Sequence, residues 1–215
     1  QGGWRADDAV LRALGSVHAD TDRAAVTAAV RALYLKWLDD GARSLQDAIG
    51  PMANADTYHP GSAATTEPGV VTVFVDGLRL DIARRIEARL AQLGLDVVSS
   101  TSLAALPTVT ETAKPVLVPT VDGALGPGPD LHAANVATGT KASIQVLRTL
   151  MGEHGVQVLG LIEPGDPAGT AWTEAGELDH RGHDVGARLV DYLDDEVQRI
   201  VGRVRELLAA GWKRV

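Results

Sequence analysis

The chain contains no cysteine among its 215 residues. That absence excludes disulfide staples, thiolate nucleophiles and cysteine-type zinc sites together, and a reducing, cytoplasmic setting is the expectation that goes with it. Aromatic residues are scarce at 4%, so a core must be built from Val, Leu, Ile and Ala rather than from rings. Basic side chains are outnumbered, 20 Lys and Arg against 28 Asp and Glu, for a formal charge of −8. A basic face that tracks nucleic acid backbone is therefore not expected, although a bound cation can supply positive charge locally where phosphate is held. No apolar run approaches the roughly 20 residues that a membrane-crossing helix needs, so no membrane partner is expected. The common phosphate and acyl-transfer motifs are missing too. No G-x-G-x-x-G follows a strand, GTKAS at 139–143 lacks the upstream spacing of a P-loop, and no G-x-S-x-G elbow occurs.

What the chain does have is 45% hydrophobic residues in readable periods, enough for one sizeable core with a smaller appendage. Residues 1–49 read as helical. Val26, Val30, Leu33 and Trp37 recur at steps of four, three and four, one face of a packing helix with Asp20 or Thr21 as its N-cap. Residues 50–69 are rich in Gly, Pro, Ala and Thr and read as a linker, with His59 a solvated loop residue. VVTVFVD at 70–76 is a nearly continuous β-branched run, expected of a strand buried on both faces as in a parallel sheet. Ile82, Ile86, Leu90 and Leu93 then recur at helical steps up to Gly94, and LDVVSS at 95–100 reads as a second strand, completing a βαβ unit. Residues 119–141 read as a long irregular insertion. A helix through Leu147, Leu150 and Met151 closes near Gly155, VQVLGLI at 156–162 reads as a third strand, and a helix is predicted over 186–210 from Leu189, Leu193, Val197, Ile200, Val204, Leu207 and Leu208. The fold class is α/β: a mostly parallel sheet with flanking helices, preceded by a helical segment.

Three segments carry candidate chemistry. Asp76 follows a predicted strand, where sites of open α/β sheets lie; as a side chain it reads either as a cap for the next helix or as a metal ligand. LPTVTETAKP at 106–115 holds Thr108, Thr110 and Thr112 within five positions. A turn or cap accounts for such a cluster, but a helix starting near Thr110 would turn backbone N–H groups toward an anion. GELDHRGHDVG at 176–186 holds Asp179, His180 and His183. Asp179 and His183 are four apart and face one side of a helical backbone, so carboxylate and imidazole can share Zn²⁺ or a similar ion; a capping segment is the other reading. His180 points elsewhere.

In this order, VFVDGLRLD, LPTVTETAKP and ELDHRGHDVG resemble the PglZ family, a component of BREX-type phage-resistance systems within the alkaline phosphatase superfamily. The resemblance covers roughly residues 70–215, and residues 1–49 are similar to the end of the region that precedes the domain in family members. It implies the N-terminal part of a PglZ/alkaline phosphatase-like domain at 70–215, with the insertion at about 119–141. It also implies two divalent metal ions, Zn²⁺ or Mn²⁺, and a phosphatase or phosphodiesterase that acts on a phosphate ester through a threonine nucleophile. Thr110 matches the nucleophile of a P-T-x-T pattern, with Thr108 its neighbour. Asp76 and Thr110 are implied ligands of one ion, Asp179 and His183 of the other. Gly182 matches a glycine where the backbone passes close to the ion or turns sharply. The partners implied are a phosphate-ester substrate and other BREX proteins; the alternative is a non-catalytic scaffold that holds those proteins together. An Asp-His pair and a later histidine complete the family pattern and are expected beyond Val215. The chain is accordingly read as a piece of a longer protein, expected by itself to bind metal weakly and to turn over little.

Overall fold

Val70–Phe74 forms β1 because its β-branched run suits a strand covered on both faces. The computed structural model describes residues 2–50, 66–119 and 123–215; residues 51–65 of the expected linker, His59 among them, lie outside the described residues, as do 120–122 of the expected insertion. The element order is α1 (Trp4–Gly15), α2 (Asp20–Ile49), β1, α3 (Leu80–Gln92), α4 (Thr110–Leu117), β2 (Leu125–Pro127), β3 (Ala133–Asn135), α5 (Ile144–Glu153), β4 (Val156–Leu159), β5 (Thr170–Glu174), α6 (Leu178–Val185), a 3-10 segment (Gly186–Tyr192) and α7 (Leu193–Ala209). The architecture is α/β, a three-stranded parallel sheet with flanking helices and an N-terminal helical segment. No helix among the described residues is long and apolar enough to cross a membrane. The chain divides into two compact units. One comprises the described residues up to 50 with 77–96 and 177–197, the other 66–76, 97–176 and 198–215.

In the second unit the strand order is β1-β5-β4, all parallel. On β5, Ala171 and Trp172 are fully buried and point to opposite faces by the period of two. Trp172 packs with Val118, Leu147, Met151 and Val156 on one side and stacks on Phe74, ring centroids 5.4 Å apart. Ala171 packs with Val71, Leu207 and Trp212 on the other. The parallel strands β4 and β5 are joined without a helix. That connection is fastened instead by buried Arg203, which donates to the carbonyls of Gly160 (3.0 Å) and Glu163 (2.7 Å), and by the Trp212 indole donating to Pro164 O (2.7 Å).

Several expectations are corrected. LDVVSS at 95–100 is not a strand, and no βαβ unit forms over 70–100. β5 pairs along one edge of β1, and at the start of the other Val71 N–H donates to Arg214 O at 3.0 Å in an isolated parallel bridge. Val98 is 91% exposed. The third predicted strand stops at Leu159, leaving Leu161 and Ile162 exposed. The central strand β5 was not predicted at all. Residues 186–192 wind as a 3-10 segment with no buried residue, so the long helix begins only at Leu193. The insertion is not irregular throughout: β2 and β3 pair antiparallel.

In the first unit α2 buries no residue. Of the expected packing face, Val26 and Val30 are half-buried, whereas Leu33 is 78% and Trp37 45% exposed, so it is covered only in its first part. The polar centre of this unit is Asp8, which accepts hydrogen bonds from Arg12 (2.7 Å) and Arg85 (2.9 Å). Burial pushes the Asp8 pKa up, but the hydrogen bonds from Arg85 and Arg12, with their charges, more than offset this and hold it below the ordinary 3.8.

The folded Asp8 carboxyl titrates below its unfolded value of 3.8, so its stabilising contribution is complete above that pH and is lost as pH falls through the lower folded value. The gap in urea midpoint between wild type and Asp8→Asn should therefore close as the pH is taken below 3.8; a gap that stays constant with pH contradicts this account. Trp172→Ala should cost about 3–5 kcal/mol in urea denaturation, whereas a loss below about 1 kcal/mol would show that the sheet core does not rest on that ring.

Candidate functional site

The register that pairs Phe74 with Glu174 brings β1 and β5 to an end at the same level. Asp76 follows β1 by two residues, at the carboxyl edge of the sheet where α/β sites form. Val109 is extended and α4 starts at Thr110, so the hydroxyl of its first residue is carried to the same edge. Thr110 Oγ1 donates to Asp76 Oδ1 at 3.3 Å. Arg79, not Asp76, is the N-cap of α3, and its side chain makes no cap hydrogen bond. Thr112 is buried on α4 and its hydroxyl donates to Leu131 O, tying the tip of the β2–β3 hairpin to α4. Thr108 is exposed.

Two further groups at this edge were not singled out from the sequence. Lys114 lies one helical turn after Thr110 on the same face. Its side chain is 13% exposed, its Nζ donates to Glu174 Oε2 at 2.7 Å, and it sits 5.0 Å over the Phe74 ring. The i, i+4 spacing from Thr110 was a usable signal for Lys114. Glu174 had none, because the strand that carries it was not recognised.

The other candidate pair lies on α6, in the first unit. Asp179 is in its first turn and His183 in its last, with Nε2 3.7 Å from Oδ1. His180 pairs instead with Asp184, 3.3 Å, on a separate face of the helix. The N-cap residues of α6 and of the 3-10 segment, Glu177 and Val185, make no cap hydrogen bond with their own side chains. The base of α6 is held by Glu196, fully buried, whose carboxylate accepts Glu177 N–H at 2.8 Å and meets Arg181 Nε at 2.8 Å. Gly182 is an ordinary helical residue; a Cβ there would meet only Leu189 Cδ2 at 3.8 Å, so the expected sharp turn is absent. The close approach belongs to Gly77, the residue after Asp76, at φ +70°. A Cβ on Gly77 would come within 2.9 Å of Asp179 N and 3.0 Å of Asp179 Cα.

Two adjacent ligands of one small divalent ion, each about 2.1 Å from it, are about 3.4 Å apart. The 3.3 Å of Asp76 and Thr110 and the 3.7 Å of Asp179 and His183 suit that spacing, and the donor types suit Zn²⁺ or Mn²⁺. Each pair supplies two donors. Among the described residues no group of three or more His, Asp or Glu side chains converges to hold an ion. Comparison with protein-family models, with curated proteins and with solved structures gave no match.

Gly77→Ala forces backbone movement against Asp179 as well as a strained φ, and should destabilise the protein by roughly 1–3 kcal/mol. Hydrogen exchange should accelerate at the amides of α6, and unchanged protection there would contradict the close contact.

Proposed function

We propose that this chain supplies the nucleophile and part of the ligand set of a two-metal phosphatase or phosphodiesterase resembling the PglZ component of BREX systems. The observation that carries the reading is the hydrogen bond from the Thr110 hydroxyl to the Asp76 carboxylate at the carboxyl edge of a parallel sheet. A threonine hydroxyl is a poor nucleophile near neutral pH. Asp76 fixes its direction, and the first N–H groups of α4 favour a phosphoryl anion beside it. A divalent ion shared by Asp76 and Thr110 would lower the hydroxyl pKa and offset phosphoryl charge; the resemblance implies a second ion, with Asp179 and His183 among its ligands, for the leaving oxygen. Thr110 Oγ1 attacks phosphorus, its proton is lost to solvent, and the ester oxygen departs as the alcohol. Water then cleaves the phosphothreonine, regenerating the hydroxyl and releasing phosphate or a phosphomonoester. The acidic balance of the chain is compatible with an anionic substrate because the ions offset their carboxylate ligands.

With two donors for each ion, the chain alone is expected to bind metal weakly and to turn over little. One observation favours the scaffold reading instead: α2 carries Leu33, Leu35, Trp37, Leu38 and Leu45, all at least 45% exposed, a surface suited to another protein.

In a protein that carries this chain with a full ligand set, Thr110→Ala should lower Zn²⁺- or Mn²⁺-dependent aryl phosphate hydrolysis roughly a thousandfold or more and abolish phage resistance without lowering the melting temperature. Resistance that survives Thr110→Ala identifies a scaffold, and unchanged hydrolysis removes Thr110 from the chemistry.

A further inference from the structure

Beside Thr110 lies a cavity of about 280 Å³ bounded by α4, the β2–β3 hairpin and the start of α5. Its floor is apolar, with Pro115, Ile144 and buried Leu147, and Lys141, His132 and Ser143 line it as well. Its volume is at the small end for ligand sites, enough for one compact group rather than a polymer.

The two donors differ from Lys114. The Lys114 charge is already matched by Glu174 at 2.7 Å. Among the described residues Lys141 forms no ion pair and the His132 imidazole has no hydrogen-bond partner; Lys141 is exposed and His132 half-buried, and both side chains line this open-mouthed cleft. Their backbones are fixed. Lys141 bridges Ala134 as a third edge of the hairpin, with Asn135 N–H donating to Thr140 O and Ala142 N–H to Ala133 O, both 2.8 Å. His132 leaves the hairpin turn through Asp130 and Leu131, both at positive φ (54° and 64°), a conformation that non-glycine residues avoid. The turn is held there by the Thr112 hydroxyl on Leu131 O and by Gly128 N–H on His132 O at 2.8 Å. A Cβ on Gly128 would stand 2.7 Å from that same oxygen, so the ribbon is closed tightly against itself. Backbone strain is thus maintained in the turn that aims an unpaired imidazole into the cavity.

We propose that this cavity receives the alcohol part of the ester, a compact group with an apolar body over Pro115, Ile144 and Leu147 and an anionic substituent held by Lys141 and His132. The assignment rests on Thr110 as the attacking group and specifies the substrate class: small organic phosphates whose leaving alcohol is itself acidic. Glu111, also at the rim, opposes a second anionic group on its side of the opening and so favours one orientation of the bound alcohol.

The test uses the 215-residue chain and two probes without phosphorus, 4-hydroxybenzoate and phenol, titrated by NMR with the His132 ring signals as reporter. 4-Hydroxybenzoate should bind about tenfold more tightly than phenol and shift the His132 signals. Lys141→Ala should reduce that preference to about twofold or less, with an unchanged melting temperature since Lys141 is exposed. Equal affinity for the two probes, or a preference that survives both Lys141→Ala and His132→Ala, overturns the proposal. Neither probe can be hydrolysed, so a failure here is separate from a failure of Thr110 to act on phosphate esters, which the ester assay reads.

Discussion

β5 lies between β1 and β4, and the placement of every group at the sheet edge depends on that register. With Phe74 opposite Glu174, the strands end together, so Asp76 continues β1 just where β5 presents Glu174. α4 completes the edge by starting at Thr110 and carrying Lys114 one turn later. The core on both faces exists to hold this register. Trp172 and Ala171, neighbours on β5, each anchor a separate cluster, and neither cluster uses a cysteine or more than a few rings.

The polar groups in this sheet are buried only where they are paired. Thr170 Oγ1 donates to the carbonyls of Thr66 (2.8 Å) and Glu67 (2.9 Å), and Thr173 Oγ1 to Leu159 O (3.1 Å), which removes the desolvation cost of hydroxyls in a core strand. Lys114 and Glu174 neutralise each other at the edge. Two kinds of group remain there: Thr110 with Asp76, hydrogen-bonded but accessible, and Lys141 with His132, without partners among the described residues. In the proposed reading the first pair attacks and the second recognises. The Thr112 hydroxyl ties the hairpin to α4, while that of Thr110 meets Asp76, so two threonines that look alike in TVTET make different contacts.

What the sequence discloses follows from which signals survive folding. β1, α3 and α5 are legible because their apolar periods match the faces they bury, as with Ile82 and Ile86 on α3. β5 is illegible because TAWTE mixes buried hydroxyls, an alanine and an edge carboxylate, and only the folded hydrogen bonds make those residues suitable for a core strand. LDVVSS misleads in the opposite sense: its residues favour a strand, but it pairs with no strand and Val98 is left 91% exposed. The α2 periodicity is real yet only its Val26–Val30 part is half-buried, since a helical stripe states which residues share a side, not what covers them. At the candidate site Asp76 and Thr110 are legible as a strand end and a helix start. His132 and Lys141 are not, because they meet through a hairpin whose turn relies on two non-glycine residues at positive φ, which no turn signal announces.

The claim on which the account rests is that Asp76 and Thr110 share one cation. Anomalous diffraction from crystals of the chain soaked in Zn²⁺ or Mn²⁺ reads this directly. The account predicts a peak about 2.0–2.4 Å from both an Asp76 carboxylate oxygen and the Thr110 hydroxyl oxygen. Metal bound elsewhere at full occupancy, with the Thr110–Asp76 hydrogen bond intact and no peak between them, would contradict it.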